Sequence, residues 1–152
     1  MAAGIEARLL ELRIVLPDLP VPGGNYVPAR TVGPVVHLAG VISTDASGVI
    51  GGTVGIDRSV EDGYAAARAC LLTQLAVLQR HLGSLDAVHS VITVNGYVNS
   101  VPGFQDSPKV LNGASDLFVQ VLGEAGHHVR AAVGVSALPK NALVELQMTV
   151  EV

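Results

Sequence analysis

Residues 127–152, HHVRAAVGVSALPKNALVELQMTVEV, contain two segments in which side chains of different character alternate. Alternation with a period of two is typical of strands that bury one face and expose the other. The second segment shows it most clearly. Its apolar positions are Val144, Leu146, Met148, Val150 and Val152. We therefore predict two strands at this end of the chain, connected through Leu138-Pro139.

Two long helices are predicted before these strands. The first follows Ser59, which with Asp62 forms a capping-box-like pattern, and ends at Gly83. The second opens with Ser107-Pro108 as cap and first residue, and ends near residue 123. Apolar residues recur at three- and four-residue steps in both. The predicted buried positions are Tyr64, Ala67, Leu71, Leu75, Leu78 and Leu82, then Leu111, Ala114, Leu117, Phe118 and Val121.

The remaining elements complete an α+β domain with both helices on one face of the sheet. Apolar residues predict a strand over 35–42 and another over 87–99. Residues 1–23 are predicted to form an N-terminal helix over 3–13 and a connector rich in proline and glycine, ahead of a single domain over 24–152. Ile5, Leu9 and Leu10 mark one side of that helix.

The composition indicates a protein that buries part of its surface against other copies. Hydrophobic residues make up 49% of the 152 residues, charged residues 14% and aromatic residues 3%. So few charges favour an oligomer with a broad apolar interface. No apolar run reaches the length of a membrane span, and no signal peptide is recognisable. A single cysteine, Cys70, fits a reducing cytoplasm. The net charge of −4 argues against nucleic acid as a partner.

Arg130 is the first candidate functional residue. It shares one face of its strand with Ala132, Gly134 and Ser136, while Val129 begins the apolar face. Small neighbours leave open space around a guanidinium, whose donors match a carboxylate in bidentate geometry. We therefore predict an anion-binding site here, with a surface arginine at a strand end as the alternative.

Glu145 is the second candidate, on the polar face of the last strand. A solvated glutamate is the default there. In a cleft, burial would raise its pKa and suit it to proton transfer. A simple hairpin through Pro139 would place it far from Arg130. Joint action would then require a different connection or a neighbouring subunit.

Weaker signals come from four other polar residues. Tyr26 follows the connector, where it either covers a ligand or anchors the loop. Asn112 is a poor helix former, held by a hydrogen bond or placed as an N-proximal cap. His127 and His128 point to opposite faces of a strand and lack a third ligand at metal spacing, so no metal site is expected.

The chain resembles the Rid family of reactive intermediate deaminases, also called YjgF or L-PSP endoribonuclease-like proteins. The resemblance covers about residues 24–152. Its most specific part is the spacing between Arg130, Leu138-Pro139 and Val144-Glu145. The matching residues are Gly24-Asn25-Tyr26-Val27, residues 36–42, Gly48, Asn112, Phe118, Arg130, Leu138-Pro139 and Val144-Glu145-Leu146.

The resemblance implies a chorismate-mutase-like fold with one mixed sheet, and a homotrimer with clefts between subunits. It implies hydrolysis of 2-imino or enamine carboxylates to 2-oxo acids and ammonia without a cofactor. Arg130 would hold the substrate carboxylate, and Glu145 would manage water and proton. Tyr26 and Asn112 would shape the pocket, and backbone groups near Gly40 and Ala132 would contact the ligand.

Two alternatives to this activity stay open. Ala39 occupies the position where active members usually carry a serine, and the N-terminal segment is extra. The same trimer would then serve as a non-catalytic module that binds a carboxylate or a protein. A ribonuclease activity is also reported for parts of the family, but the acidic balance of this chain argues against it.

Overall fold

The computed structural model describes residues 3–152, so residues 1 and 2 of the predicted N-terminal segment lie outside it. The helices are α1 (Ile5–Glu11), α2 (Val60–Leu82) and α3 (Ser107–Leu122). The strands are β1 (Ala29–Val32), β2 (Val35–Leu38), β3 (Val41–Ile42), β4 (Thr44–Asp45), β5 (Gly48–Val49), β6 (Ser90–Asn99), β7 (Val129–Val135) and β8 (Val144–Glu151).

One mixed sheet carries the fold, with its strands in the order β1-β2-β8-β6-β7. The β6–β7 pair is parallel, whereas β2 and β6 flank β8 in antiparallel orientation. The short strand β3 also pairs with β8, and β4 and β5 form a separate ladder. Helices α2 and α3 pack against each other and cover one face of the sheet. The predicted α+β architecture is confirmed.

The start and end of α2 follow from its predicted caps. Ser59 Oγ accepts a hydrogen bond from the Asp62 backbone N–H at 3.1 Å, and Asp62 Oδ2 accepts one from the Ser59 N–H at 2.9 Å. Gly83 ends the helix at φ 82°, a left-handed conformation that favours glycine. One predicted core position is wrong. Tyr64 is 37% exposed, because its hydroxyl reaches Asp116 of α3 at 2.6 Å.

Three other local predictions are corrected. Leu10 is 79% exposed, since only Ile5 and Leu9 of α1 face the protein. Asp106, not Ser107, is the N-cap residue of α3. The strand predicted over 35–42 is interrupted at residues 39 and 40, between β2 and β3. The chain therefore changes its course beside β8 at that point.

The close contact between α2 and α3 depends on Gly113. A Cβ at this position would overlap the backbone carbonyl oxygen of Tyr64, which cannot move without disturbing α2. We expect Gly113→Ala to lower the free energy of unfolding by about 1–3 kcal/mol through overpacking. Denaturant titration would measure it. Gly23→Ala is the matched control, since no atom lies within 4 Å of its Cβ position. Equal stability of both variants would contradict this account.

Candidate functional site

The predicted site residues fall into two groups within one chain. Arg130 and Asn112 meet where β7 passes under the first turns of α3. Glu145, Gly40 and Tyr26 line a separate cavity, whose wall also includes Thr73 and Val77 of α2. Arg130 and Asn112 do not line that cavity.

The guanidinium of Arg130 is held by three acceptors of α3. Its Nη1 donates to Asn112 Oδ1 at 2.9 Å and to Ser115 Oγ at 3.0 Å. Its Nη2 donates to the Pro108 carbonyl oxygen at 3.3 Å. Both hydrogens of Nη1 are therefore engaged. In the described part of the chain, the Nε–H and one of the two Nη2 hydrogens have no acceptor, so the Nε–Nη2 edge keeps free donors.

The orientation predicted for Arg130 is corrected. Val129 and Val133, on the face predicted to be apolar, are 66% and 47% exposed in the single chain. Arg130 is partly buried and faces α3. Its partner in the parallel β6–β7 ladder is Val94, which is fully buried. Because paired residues share a face, Arg130 and Ala132 lie on the helix side of the sheet.

Ser115 and His128 extend the contacts of Arg130. The Ser115 hydroxyl lies 2.9 Å from His128 Nε2, and His128 Nδ1 lies 2.6 Å from the Gly126 carbonyl oxygen. A carbonyl only accepts, so Nδ1 carries the proton of the neutral ring and Nε2 accepts from Ser115. Burial lowers the pKa of His128 and outweighs the opposing effect of the hydrogen bond to the Gly126 carbonyl oxygen, and the positive charge of Arg130 lowers the pKa further. The ring is therefore neutral near pH 7.

Glu145 lies at a cavity of about 520 Å³, within the usual range for small-molecule pockets. Burial raises the pKa of its carboxyl group. The wall includes Ala39 and Gly40 from the interruption between β2 and β3, and Tyr26 and Pro22 from the connector. A Cβ on Gly40 would lie 2.9 Å from Glu145 Oε1, so glycine leaves room for the carboxylate.

The interruption beside Glu145 is stabilised by Gln74 of α2. Its Nε2 donates to the Ala39 carbonyl oxygen at 2.8 Å and to the Leu146 carbonyl oxygen at 3.0 Å. The side chain is buried, so these bonds satisfy backbone groups that water cannot reach. Gln74 was missed at the sequence level, although an amide among the apolar residues of a helix was the available signal. Ser115 was missed too, and so was Lys140, which lines the cavity.

Arg130 and Glu145 lie on opposite faces of the sheet. In the β6 ladders, Arg130 pairs with Val94 and Glu145 pairs with Tyr97. Residues three apart on a regular strand point to opposite faces, and the single irregularity of the β6–β8 ladder falls earlier, between Val91 and Thr93. The connection from β7 to β8 is not a hairpin, because β6 lies between them. One chain therefore holds these two candidate residues apart from each other.

Among residues 3–152, no helix combines the length and apolar character that crossing a membrane requires. His127 is exposed, while His128 points toward α3. No three His, Cys, Asp or Glu side chains of the described chain come together as metal ligands.

Comparison with known proteins places this fold in a family. Protein TCP17 of Trypanosoma cruzi is 42% identical over 149 residues, covering 97% of this chain and 93% of that protein. A Shewanella oneidensis structure, described as a candidate endoribonuclease, is 30% identical with a TM-score of 0.94 and covers 99% of this chain and 100% of its own. RidA of an Antarctic Psychrobacter is 26% identical with a TM-score of 0.61, covering 88% of this chain and 94% of its own.

The family match extends over nearly the whole sequence. The family model covers residues 6–152, so it includes most of the N-terminal segment that the resemblance set apart. The strand order, the two helices on one face and the Arg130-to-Glu145 region all lie within the matched range. The chain belongs to the YjgF/chorismate mutase-like endoribonuclease family, the group that includes the Rid proteins.

Proposed function

We propose that this protein hydrolyses reactive 2-imino or enamine carboxylates to 2-oxo acids and ammonia, at sites formed between the subunits of a homotrimer. The observation that carries the proposal is the free Nε–Nη2 edge of Arg130, which is fixed by Asn112 and Ser115 and complementary to a carboxylate. Membership of the family that includes RidA supports the same substrate class.

The chemistry needs few groups, because a 2-imino acid is already electrophilic. Water adds to the imine carbon, and the carboxylate of Glu145 takes the proton that the water loses. That proton passes to the nitrogen and gives the carbinolamine. As the carbinolamine collapses, its hydroxyl proton moves to the amino group, the C–N bond breaks, and ammonia leaves the 2-oxo acid. The raised pKa of Glu145 suits it to accept and return a proton. Positioning by Arg130 supplies the rest of the rate acceleration, and no cofactor is required.

A second subunit is needed to bring Arg130 and Glu145 together. The face of the sheet that carries Glu145 also exposes Val129 and Val133, at 66% and 47%. Exposed apolar side chains on a strand face are typical of a protein interface. A neighbouring chain on this face would bring its own Arg130 edge to the Glu145 cavity. Closed threefold symmetry would give three such sites.

A non-catalytic carboxylate-binding trimer is the second candidate. Ala39 favours it, because its position in the cavity wall beside Glu145 has no hydroxyl group to offer a substrate or a water molecule. This candidate keeps the role of Arg130 and removes that of Glu145. A carboxylate would then raise the melting temperature without being turned over.

Turnover of 2-iminobutanoate generated in situ tests the two candidates. We expect the wild type to accelerate hydrolysis and Glu145→Gln, which keeps the size of the side chain, to lose about 100-fold in kcat. The carboxylate form is the active one. Activity should therefore fall as the pH drops through the Glu145 pKa, which lies above the ordinary 4.5. The activity of Glu145→Gln should not show this fall at low pH. Equal rates for wild type and variant would reject the assigned role of Glu145.

A further inference from the structure

We infer that Ser115 and His128 form a positioning pair that fixes the rotation of the Arg130 guanidinium and so presents its Nε–Nη2 edge to the carboxylate of the ligand. The inference rests on the role proposed for Arg130. It adds two residues that do not touch the ligand themselves. Ser115 contacts Nη1, the nitrogen that faces away from the free edge.

The hydrogen bonds of this pair run in one direction. His128 Nδ1 donates to the Gly126 carbonyl oxygen, which leaves the lone pair of Nε2 as an acceptor. The Ser115 hydroxyl donates its hydrogen to Nε2. The Ser115 oxygen then presents its lone pairs to Arg130 Nη1. With the ring neutral, each of the three donors, which are His128 Nδ1, the Ser115 hydroxyl and Arg130 Nη1, meets an acceptor.

The imidazole ring is itself held in place. It packs against Phe118 with ring centroids 5.1 Å apart and an interplanar angle of 57°. The turn that carries Gly126 is packed closely on α3, since a Cβ there would overlap the Phe118 carbonyl oxygen. Helix α3 presents neutral groups to the ring, and the charges that act on it come from Arg130 and His127. The ring is therefore a rigid neutral acceptor for Ser115.

Fixing Nη1 matters because an arginine can offer a carboxylate two different pairs of donors. With both Nη1 hydrogens engaged, the Nη1–Nη2 end of the guanidinium is closed to a ligand. The Nε–Nη2 edge then remains for bidentate binding. Loss of Ser115 or of the acceptor on His128 would let the guanidinium rotate, and a share of its conformations would present the wrong end.

Four variants separate positioning from mere packing. Ser115→Ala removes the hydroxyl and suits a helix, so the variant is expected to fold. His128→Phe keeps an aromatic ring on Phe118 but has no acceptor. His128→Gln restores an acceptor, its side-chain carbonyl oxygen. His127→Ala is the matched control, because the neighbouring histidine is exposed and makes no side-chain hydrogen bond in the described chain.

The probe is 2-oxobutanoate, a stable carboxylate whose binding is measured by calorimetry, together with KM for 2-iminobutanoate. We expect Ser115→Ala and His128→Phe to weaken binding and raise KM by about 3- to 10-fold, with a smaller change in kcat. His128→Gln should recover most of the affinity, and His127→Ala should match the wild type. A purely structural role would not distinguish His128→Gln from His128→Phe.

The two readouts keep this inference distinct from the proposed function. If the wild type binds 2-oxobutanoate without turnover and the variants weaken binding as expected, the positioning pair stands while the deaminase proposal fails. If the wild type turns over 2-iminobutanoate while Ser115→Ala and His128→Phe keep wild-type affinity and KM, the pair is rejected and the deaminase proposal stands. No binding by the wild type rejects the pair as well.

Discussion

Replacing Arg130 by alanine is expected to lower kcat/KM for 2-iminobutanoate by about two to three orders of magnitude. The partly buried guanidinium would offer its Nε–Nη2 edge to the substrate carboxylate, and alanine removes both of these charge-assisted hydrogen bonds at once. Asn112 and Ser115 would turn toward solvent, so we expect the fold to persist. Steady-state kinetics with a thermal melt of each variant would measure both effects.

Two controls show whether the arginine itself matters. Arg130→Lys keeps the charge but replaces a planar fork by a point charge, so it should recover little of the activity. Lys140→Ala removes a cation from the wall of the Glu145 cavity and should change kcat/KM by less than about threefold. If Lys140→Ala abolished activity while Arg130→Ala retained it, Lys140 would be the carboxylate-binding residue instead.

Much of the architecture could be predicted, because it depends on patterns of residues that are close together in the sequence. The period of two in β8 identified its buried residues, from Val144 to Val150, since one face packs under the helices. The capping residues Ser59 and Asp62 act within a single turn, so their pattern alone located the start of α2. Leu10 and Tyr64 were placed wrongly, because a helical stripe does not show how wide its buried sector is.

The orientation of Arg130 was not predictable in the same way. Both faces of β7 carry residues that fit a core, valines on one and Ala132 with Gly134 on the other. The alternation of residues along β7 therefore does not identify the face that packs against the helices. The parallel pairing with β6 decides it, and pairing between distant strands leaves no local signal. The small residues make room for α3 rather than for open solvent.

The division of the site follows from the same strand order. Tyr26, Gly40 and Glu145 are far apart in the sequence, and the interruption at residues 39 and 40 brings them to one cavity. Arg130 reaches the opposite face with Asn112. Joint action of Arg130 and Glu145 was predicted to need a neighbouring subunit or a connection other than a hairpin. The observed connection avoids the hairpin, yet it still separates the two groups.

Two inactive variants are expected to restore activity when they are mixed. In a trimer of Arg130→Ala chains every site lacks the guanidinium, and in a trimer of Glu145→Gln chains every site lacks the carboxylate. A mixed trimer contains interfaces at which a Glu145→Gln chain supplies Arg130 and an Arg130→Ala chain supplies Glu145. With random 1:1 assembly, half of the chains keep Arg130 and the other half keep Glu145. About one quarter of all interfaces, counted before any purification, should therefore combine an intact Arg130 with an intact Glu145.

Coexpression of the two variants with different affinity tags, followed by tandem purification, yields the mixed oligomers. Tandem purification excludes pure homotrimers, and each mixed trimer has one intact site out of three, so activity of about one third of the wild-type value is expected, against background for each variant alone. The control pairs Arg130→Ala with Arg130→Lys, which cannot complement because no chain supplies the arginine. Mixed oligomers as inactive as their parents would show that the two residues do not serve one intersubunit site. Recovery requires the Arg130 edge of one chain to work with the Glu145 cavity of another, as their placement on opposite faces of the sheet demands.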